Sequence, residues 1–108
     1  MALHQISATE FTELYRDGKL NQTKIIDVRE PYEWEMYHLD QALHIPMNTI
    51  PVHLDRLDQE EELYIICAHG VRSWHVVSYL VQQGYSKAIN VEGGMAEVQL
   101  ILDAEREK

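Results

Sequence analysis

One segment of the chain decides the fold, and it reads Leu63-Tyr-Ile-Ile-Cys67-Ala-His-Gly70-Val-Arg72-Ser73-Trp-His-Val-Val77-Ser-Tyr-Leu80-Val81-Gln-Gln-Gly84. It opens as a short apolar run with a β-branched pair, which predicts a buried strand. A tight loop follows, and then Val77, Leu80 and Val81 recur at the i, i+3, i+4 spacing of a helix that begins near Ser73. The only cysteine of the sequence lies where the strand ends and the loop begins. The segment therefore predicts a strand, a loop and a helix, with a cysteine at the turn.

The loop after this strand has the residue types that activate a thiol. If the amides of residues 68–73 turn inward, they and the helix N-terminus stabilise an anion or a thiolate at Cys67. Gly70 permits the turn, and Arg72 adds a permanent charge with planar donors suited to an oxyanion. A cysteine that ends an apolar strand is, by itself, more often a small buried hydrophobe. Gly70 and Arg72 favour a nucleophile instead, and we predict covalent catalysis at Cys67.

Composition sets the class of protein. Lys and Arg total 9 against 18 Asp and Glu in 108 residues, a formal charge of −9. This balance argues against nucleic acid or an anionic membrane as a partner, because both require a basic surface. No apolar run approaches the roughly 20 residues needed to span a bilayer. The N-terminus has no signal-peptide pattern, and a single cysteine allows no internal disulfide. We expect one domain over residues 1–108 in a cytoplasmic protein.

Short strands alternate with helices along the whole chain. Strands are predicted at 3–6, 24–28, 42–45, 63–67 and 87–91, and helices at 8–17, 32–36, 48–57, from near Ser73 to Gly84, and after 93–94. This alternation predicts an α/β fold with a central, mainly parallel sheet flanked by helices on both faces. Ligands of such sheets gather beyond the carboxyl ends of the strands. Cys67, the segment 27–29 and the Gly93-Gly94 turn all fall at such ends.

Four segments, taken in order, resemble one known family. Cys67-Ala-His-Gly70-Val-Arg72-Ser73 resembles the active-site loop of the rhodanese family, cysteine–x–x–glycine–x–arginine–serine. The stretch 26–30 resembles the family's aspartate–valine–arginine segment, and 34–46 resembles the glycine–histidine–isoleucine–proline–glycine–alanine stretch that follows it. The stretch 91–95 resembles the late glycine–glycine turn. The similarity spans about residues 3 to 100, and it implies a rhodanese-like fold.

The resemblance implies sulfur transfer without a metal or an organic cofactor. Family members take a sulfane sulfur from an anionic donor such as thiosulfate onto the loop cysteine, which becomes a persulfide. The outer sulfur then passes to cyanide, a thiol or an acceptor protein. On this chain Cys67 would be the nucleophile, and Asp27 and Arg29 are expected to brace its loop. The residues expected to bind the transferred sulfur and the donor are Ala68, His69, Gly70, Val71, Arg72 and Ser73.

Two other functions use the same fold. Related phosphatases and arsenate reductases carry five residues between cysteine and arginine, whereas four separate Cys67 from Arg72 here. The shorter loop suits a single sulfur atom better than a tetrahedral oxyanion. A non-catalytic protein-interaction module is the other alternative, although such modules often lack the cysteine or the arginine.

Several side chains near the predicted site have more than one interpretation. His69 is either a group that binds the donor or tunes Cys67, or an exposed side chain at a variable position. The remaining histidines show no paired spacing typical of metal ligands. Trp34, Tyr37 and Trp74 either line the mouth of the site or belong to the core and rim.

The sequence also departs from the family pattern. Tyr37 stands where the family has glycine before its histidine, and Asp40-Gln41 replaces its proline–glycine pair. These changes predict a different backbone conformation at one wall of the entrance. Ala96-Glu-Val98 follows Met95, where the family often has a tryptophan. None of these positions is Cys67, Gly70 or Arg72, so we expect them to affect the choice of substrate.

Overall fold

A computed structural model describes residues 4–106. The strands are β1 (Gln5–Ser7), β2 (Lys24–Asp27), β3 (Leu43–His44), β4 (Leu63–Ile66) and β5 (Ala88–Glu92). The helices are α1 (Ala8–Arg16), α2 (Pro31–Met36), α3 (Val71–Gln82) and α4 (Gly94–Arg106), with a 3-10 helix at Met47–Arg56 between β3 and β4. Within this range, no helix combines the length and the apolar character that crossing a membrane requires.

The five strands form one sheet in the order β1-β5-β4-β2-β3. Every pairing in it is parallel, with Ile26 beside Ile65 and Ile65 beside Asn90. The cysteine strand β4 therefore lies in the centre, flanked by β2 and β5. Parallel central strands are buried on both faces, which explains why β4 is apolar at all four positions. The predicted α/β fold is confirmed, with a sheet that is wholly parallel across the described strands.

Helices cover both faces of the sheet, as predicted. Helix α3 and the 3-10 helix pack on one face, with a buried cluster of Ile26, Val28, Ile45, Ile50, Leu57, Leu63, Ile65, Cys67, Val76, Val77, Leu80, Tyr85 and Ala88. Helices α1 and α4 pack on the other face, with Ala8, Phe11, Leu20, Ile25, Leu39, Tyr64, Ile66, Val91, Met95 and Val98. Helix α1 begins at the Ser7 cap, whose hydroxyl accepts from the N–H of Glu10 at 3.1 Å.

Two elements differ from the sequence predictions in ways that affect the site. Helix α3 begins at Val71, two residues earlier than predicted, because Gly70 takes a left-handed conformation and acts as its N-cap. The loop is therefore tighter, and the first turn of α3 starts directly after Gly70. The helix predicted at 48–57 is a 3-10 helix with Pro51 inside it. Pro51 has no N–H to donate, so this segment lacks one of the hydrogen bonds of a regular α-helix.

Candidate functional site

Cys67 directly follows β4 and lies at the centre of its loop. Its side chain is 1% exposed. The sulfur accepts hydrogen bonds from the N–H of Gly70 at 3.0 Å and from the N–H of Ser73 at 3.3 Å, and the hydroxyl of Ser73 lies 3.2 Å away. Of the predicted loop amides, those of Gly70 and Ser73 thus hydrogen-bond to the sulfur, and the amide of His69 also contributes to its environment. Three polar groups from the loop and the first turn of α3 converge on one atom.

This environment favours the thiolate. Burial raises the pKa of the Cys67 thiol, because it removes water from the charged form. Hydrogen bonds from the Ser73 hydroxyl and from the amides of Ser73, Gly70 and His69 outweigh burial, so the pKa lies below its ordinary value. A larger fraction of Cys67 is therefore nucleophilic at neutral pH than for a free thiol.

Gly70 makes the tight turn possible. Its backbone has φ +98°, in the left-handed region where side chains are strained. A Cβ at this position would also lie 3.1 Å from the N–H nitrogen of Gly93. Gly70 is therefore required twice, once for its backbone conformation and once for the close approach of the neighbouring turn.

The Gly93-Gly94 turn holds the other side of the loop. The N–H groups of Met95 and Ala96, in the first turn of α4, donate to the carbonyls of Cys67 at 2.7 Å and Ala68 at 3.0 Å. A Cβ on Gly94 would lie 2.4 Å from the Cys67 carbonyl oxygen, so only glycine allows this approach. The first turn of α4 thus holds the carbonyl groups of Cys67 and Ala68, while the amides of Gly70 and Ser73 face the sulfur.

Arg72 makes a bidentate ion pair that the sequence analysis did not identify. Its guanidinium nitrogens Nη1 and Nη2 lie 2.8 and 2.9 Å from the two carboxylate oxygens of Glu33 in α2. The hydrogen bonds from Arg72 lower the pKa of Glu33 to about 2. Both partners are therefore charged at neutral pH, and the guanidinium is held at a fixed orientation beside the loop. Glu33 therefore partly compensates the positive charge of the guanidinium.

Asp27 and Arg29 bind each other and the end of α2, and not the cysteine loop. Their side chains form a buried ion pair with an Nη2–Oδ2 distance of 2.7 Å. Arg29 Nη2 also donates to the Tyr37 carbonyl at 2.6 Å, at the C-terminal end of α2. Among residues 4–106, the side-chain hydrogen bonds of this pair go to each other, to the Arg29 amide and to Tyr37. The expected direct bracing of the cysteine loop is wrong, and the pair positions α2, which carries Glu33.

The predicted aromatic residues divide between mouth and interior. Trp74 is 45% exposed and lines a cavity of about 300 Å³ with His69, Gly70 and Val71. Trp34 instead stacks on His38 with ring centroids 3.7 Å apart, and it also stacks on His44. Tyr37 packs with the cluster beneath α1 and α4. His69 and Trp74 are thus placed at the mouth of the site, and Trp34 and Tyr37 are not.

A second cavity runs along the other side of the loop. It has a volume of about 460 Å³, and its polar lining residues are Glu30, Asn48, Arg72 and His75. The apolar lining includes Met47, Ile50, Pro51, Val76 and Tyr79. Room for a ligand therefore exists next to the Arg72 guanidinium.

Asn90 is a second residue that the sequence analysis missed. It lies in β5, is 2% exposed, and its Oδ1 is 2.5 Å from the hydroxyl oxygen of Ser73. The signal available in the sequence is an amide between apolar strand residues, a position from which asparagine is normally depleted. For metals, no group of three His, Cys, Asp or Glu side chains within residues 4–106 is arranged to hold an ion.

The departures at Tyr37 and Asp40-Gln41 are accommodated without strained backbone. Among the described residues, every positive φ belongs to a glycine. Gln41 donates through Nε2 to the Leu20 carbonyl at 2.7 Å. Asp40 lines a cavity of about 580 Å³ with Tyr15 and Tyr37, apart from the residues around Cys67. The turn that differs from the family pattern therefore lies outside the cysteine loop.

Comparisons with known proteins agree on one family. The sequence pattern of the rhodanese-like domain matches residues 7–100. The Bacillus subtilis (strain 168) protein YtwF, which carries the provisional name of a sulfurtransferase, is 46% identical over 71 residues, 66% of this chain and 68% of that protein. A sulfurtransferase of Allochromatium vinosum is 34% identical over 71 residues, 66% of each chain. The crystal structure of a rhodanese-like domain protein from Staphylococcus aureus superposes with a TM-score of 0.80 at 40% identity, over 88% of this chain and 90% of that one.

Proposed function

The chain belongs to the rhodanese-like domain family, and we propose that it is a sulfurtransferase that carries sulfur as a persulfide on Cys67. One observation carries the proposal: the Cys67 sulfur lies 3.0 to 3.3 Å from three polar groups of its own loop and helix. This arrangement stabilises a thiolate, which is the form that attacks a sulfane sulfur. Relatives named as sulfurtransferases support the same class of reaction.

The first half-reaction loads the cysteine. The Cys67 thiolate attacks the sulfane sulfur of an anionic donor such as thiosulfate, and a bond forms between Sγ and that sulfur. The bond between the two donor sulfurs breaks, and sulfite leaves with its electron pair. Arg72 supplies positive charge near the donor, although Glu33 shares it. The first-turn amides of Val71 and Arg72 have no acceptor within α3 and are available to the outer sulfur.

The second half-reaction transfers the outer sulfur from Cys67 to an acceptor. A nucleophilic acceptor attacks the outer sulfur, the Sγ–S bond breaks, and its electron pair returns to Cys67 as a thiolate. The sequence contains no second cysteine to resolve the persulfide, so the acceptor comes from outside this sequence. Cyanide, a small thiol or a thiol of an acceptor protein has the required chemistry. The cavities beside Trp74 and Arg72 offer two directions of approach.

The proposal is tested by weighing the intact protein after incubation with thiosulfate. We expect a mass gain of one sulfur that is removed by cyanide and is absent from Cys67→Ala. Parallel incubations with an aryl phosphate and with arsenate test phosphatase and arsenate reductase activity, and we expect no turnover of either. If neither thiosulfate nor any other sulfane donor loads Cys67, the chain is a binding module of the same fold and the proposal is wrong.

A further inference from the structure

Two acceptors compete for a single hydrogen next to Cys67. The Ser73 hydroxyl is fully buried, and its oxygen lies 3.2 Å from the Cys67 sulfur and 2.5 Å from Oδ1 of Asn90. A hydroxyl has one hydrogen to donate. It therefore donates either to the sulfur or to Asn90 at a given moment.

The orientation of the Asn90 amide is fixed by its other neighbours. Its Nδ2 lies 3.3 Å from the carbonyl oxygen of Gly70 and 3.1 Å from Oε1 of Gln5. A backbone carbonyl can only accept a hydrogen bond, so the nitrogen of the amide must face Gly70. Oδ1 then faces Ser73 and presents an acceptor to its hydroxyl.

We propose that Asn90 is a positioning residue that holds the Ser73 hydroxyl hydrogen away from Cys67 Sγ until this sulfur carries negative charge. While Cys67 is a neutral thiol, its S–H donates to Ser73, and Ser73 donates to Asn90. All three polar groups are then satisfied. When the sulfur is a thiolate it has no hydrogen, and the charged sulfur attracts the Ser73 hydrogen more strongly than a neutral amide oxygen does. Asn90 Oδ1 then loses its donor, which is costly at a buried position.

The consequence for catalysis rests on the proposed sulfur transfer. Negative charge lies on Sγ before the donor is attacked and again when the persulfide is discharged. In the persulfide the inner sulfur is neutral. The Ser73 hydroxyl thus rotates toward Sγ in the charged states and back toward Asn90 in the loaded state. Asn90 makes the thiolate less stable than Ser73 alone would make it, so it maintains the nucleophilicity of Cys67 and slows its departure as a leaving group.

The charged groups around the sulfur are separate from this hydrogen-bond chain. The charged groups come from α2, α3, α4 and the ends of the central strands, and they are Arg72 with Glu33, Asp27 with Arg29, Glu92 and Glu97; the loop adds the titratable side chain of His69. Within residues 4–106 the hydrogen bonds of the Asn90 side chain go to Ser73, Gln5 and Gly70. Replacing Asn90 therefore changes the hydroxyl's choice of acceptor and leaves the charges in place.

The test measures the thiol pKa from the pH dependence of the alkylation rate with iodoacetamide, which needs no sulfur transfer. Asn90→Ala removes the competing acceptor, and we expect the pKa of Cys67 to fall by about one pH unit. Ser73→Ala removes the hydroxyl and should raise this pKa. In the Ser73→Ala background, Asn90→Ala should cause no shift. These variants form a double-mutant cycle. Asn90→Ala removes the hydrogen bond to the Gly70 carbonyl both in the wild type and in the Ser73→Ala background, so the effect of losing this bond cancels when the two pKa shifts are compared.

Two further variants address space and stability. Gln5 and Asn90 both line the 300 Å³ cavity beside Trp74, so Gln5→Ala enlarges the cavity that Asn90→Ala also enlarges. Because Gln5→Ala leaves Oδ1 of Asn90 facing Ser73, it should not shift the pKa of Cys67. Asn90→Ser, whose hydroxyl is too short to reach Ser73, should lower the pKa in the same direction even if Asn90→Ala does not fold. An unchanged or raised pKa in folded Asn90 variants, or an equal shift in the Ser73→Ala background, would overturn the inference.

The kinetics separate this inference from the proposed function. In an Asn90 variant whose Cys67 pKa is one unit lower, the thiolate is a weaker nucleophile and a better leaving group. At a pH above the Cys67 pKa of both the wild type and the variant, loading by thiosulfate should therefore slow about threefold, and transfer of the sulfur to cyanide should become faster. If no variant takes up sulfur but the pKa cycle behaves as expected, the hydroxyl switch stands and sulfur transfer is wrong. If sulfur transfer occurs and the double-mutant cycle shows no coupling between Asn90 and Ser73, sulfur transfer stands and the hydroxyl switch is wrong.

Discussion

Two arginine–carboxylate pairs lie near the cysteine loop, and they differ in burial and in separation along the chain. Arg29 and Asp27 are two residues apart, with side chains 8% and 0% exposed. Arg72 and Glu33 are 39 residues apart, with side chains 35% and 18% exposed. Both are hydrogen-bonded through more than one contact, so geometry alone does not distinguish them. Their surroundings determine what each contributes.

The difference shows how positioning and electrostatics are divided. The buried pair ties the end of β2 to the Tyr37 carbonyl and so fixes where α2 lies. Helix α2 then presents Glu33 to Arg72 beside the loop. The buried pair acts on structure, because removing one buried charge leaves the other uncompensated. We propose that the partly buried Arg72–Glu33 pair acts mainly on the charge beside the loop, because an ion pair that stays in contact with water contributes less to stability than a fully buried one.

The largest expected effect comes from breaking the buried pair. Asp27→Asn keeps a similar shape but leaves the Arg29 charge without its carboxylate, and we expect the free energy of unfolding to fall by about 3–5 kcal/mol. Chemical denaturation monitored by circular dichroism measures it. Glu33→Gln is the matched variant in the other pair, and it should cost about 1 kcal/mol or less at neutral pH. Equal losses in the two variants would contradict the distinction.

A smaller effect is expected on the rate of persulfide formation when the partly buried Arg72–Glu33 pair is altered. Arg72→Lys keeps the charge but cannot bind both Glu33 oxygens, so the cation is no longer held beside the loop. We expect the rate of persulfide formation from thiosulfate to fall about tenfold, or about 1.4 kcal/mol. A time course of intact mass measures this rate.

The control is alkylation of the same variant with iodoacetamide, a neutral reagent that needs no cation for binding. Its rate at saturating thiolate should change less than twofold. Arg29→Lys should behave oppositely, with lower stability but nearly unchanged loading of the folded protein. If Arg72→Lys slows iodoacetamide as much as thiosulfate, Arg72 acts on the sulfur and not on the donor.

The contrast also explains what the sequence could predict. The Cys67 loop, Gly70 and the Gly93-Gly94 turn depend on short-range patterns: an apolar run, a residue that allows positive φ, and a glycine pair before a helix. These features constrain the backbone locally, so their place at the carboxyl ends of the strands followed from the α/β pattern. Helix α3 begins two residues before the predicted start because Gly70 adopts the αL conformation and acts as the N-cap, and hydrophobic periodicity carries no signal for this cap.

The missed residues depend on tertiary contacts. Three glutamates, Glu30, Glu33 and Glu35, lie in or next to α2, and only the position of α2 relative to the first turn of α3 selects Glu33 as the partner of Arg72. Asn90 is an amide in an otherwise apolar strand, which indicates a buried polar contact but not its partner. The direct bracing expected of Asp27 and Arg29 failed for the same reason, because their partner Tyr37 lies at the end of α2.

The smallest expected effect is the pH dependence of the stability that the Arg72–Glu33 pair contributes. The pKa of Glu33 is lowered to about 2 from an ordinary value of 4.5, so the unfolded state binds a proton on Glu33 at a higher pH than the folded state. The pair therefore contributes its full stability above about pH 4.5 and loses it as the pH falls toward 2. The full shift would correspond to about 3 kcal/mol, but water around this partly buried pair screens the interaction. We therefore expect a stability difference of about 1 kcal/mol at pH 7 between the wild type and Glu33→Gln, and we expect it to shrink steadily below pH 4.5. Urea denaturation at a series of pH values between 7 and 3 measures the difference.

Glu35→Gln changes an exposed carboxylate of the same helix, and its difference from the wild type should stay near zero throughout. A Glu33→Gln difference that is constant down to pH 3 would mean that the carboxylate contributes through packing, and the two arginine pairs would then differ in degree and not in kind.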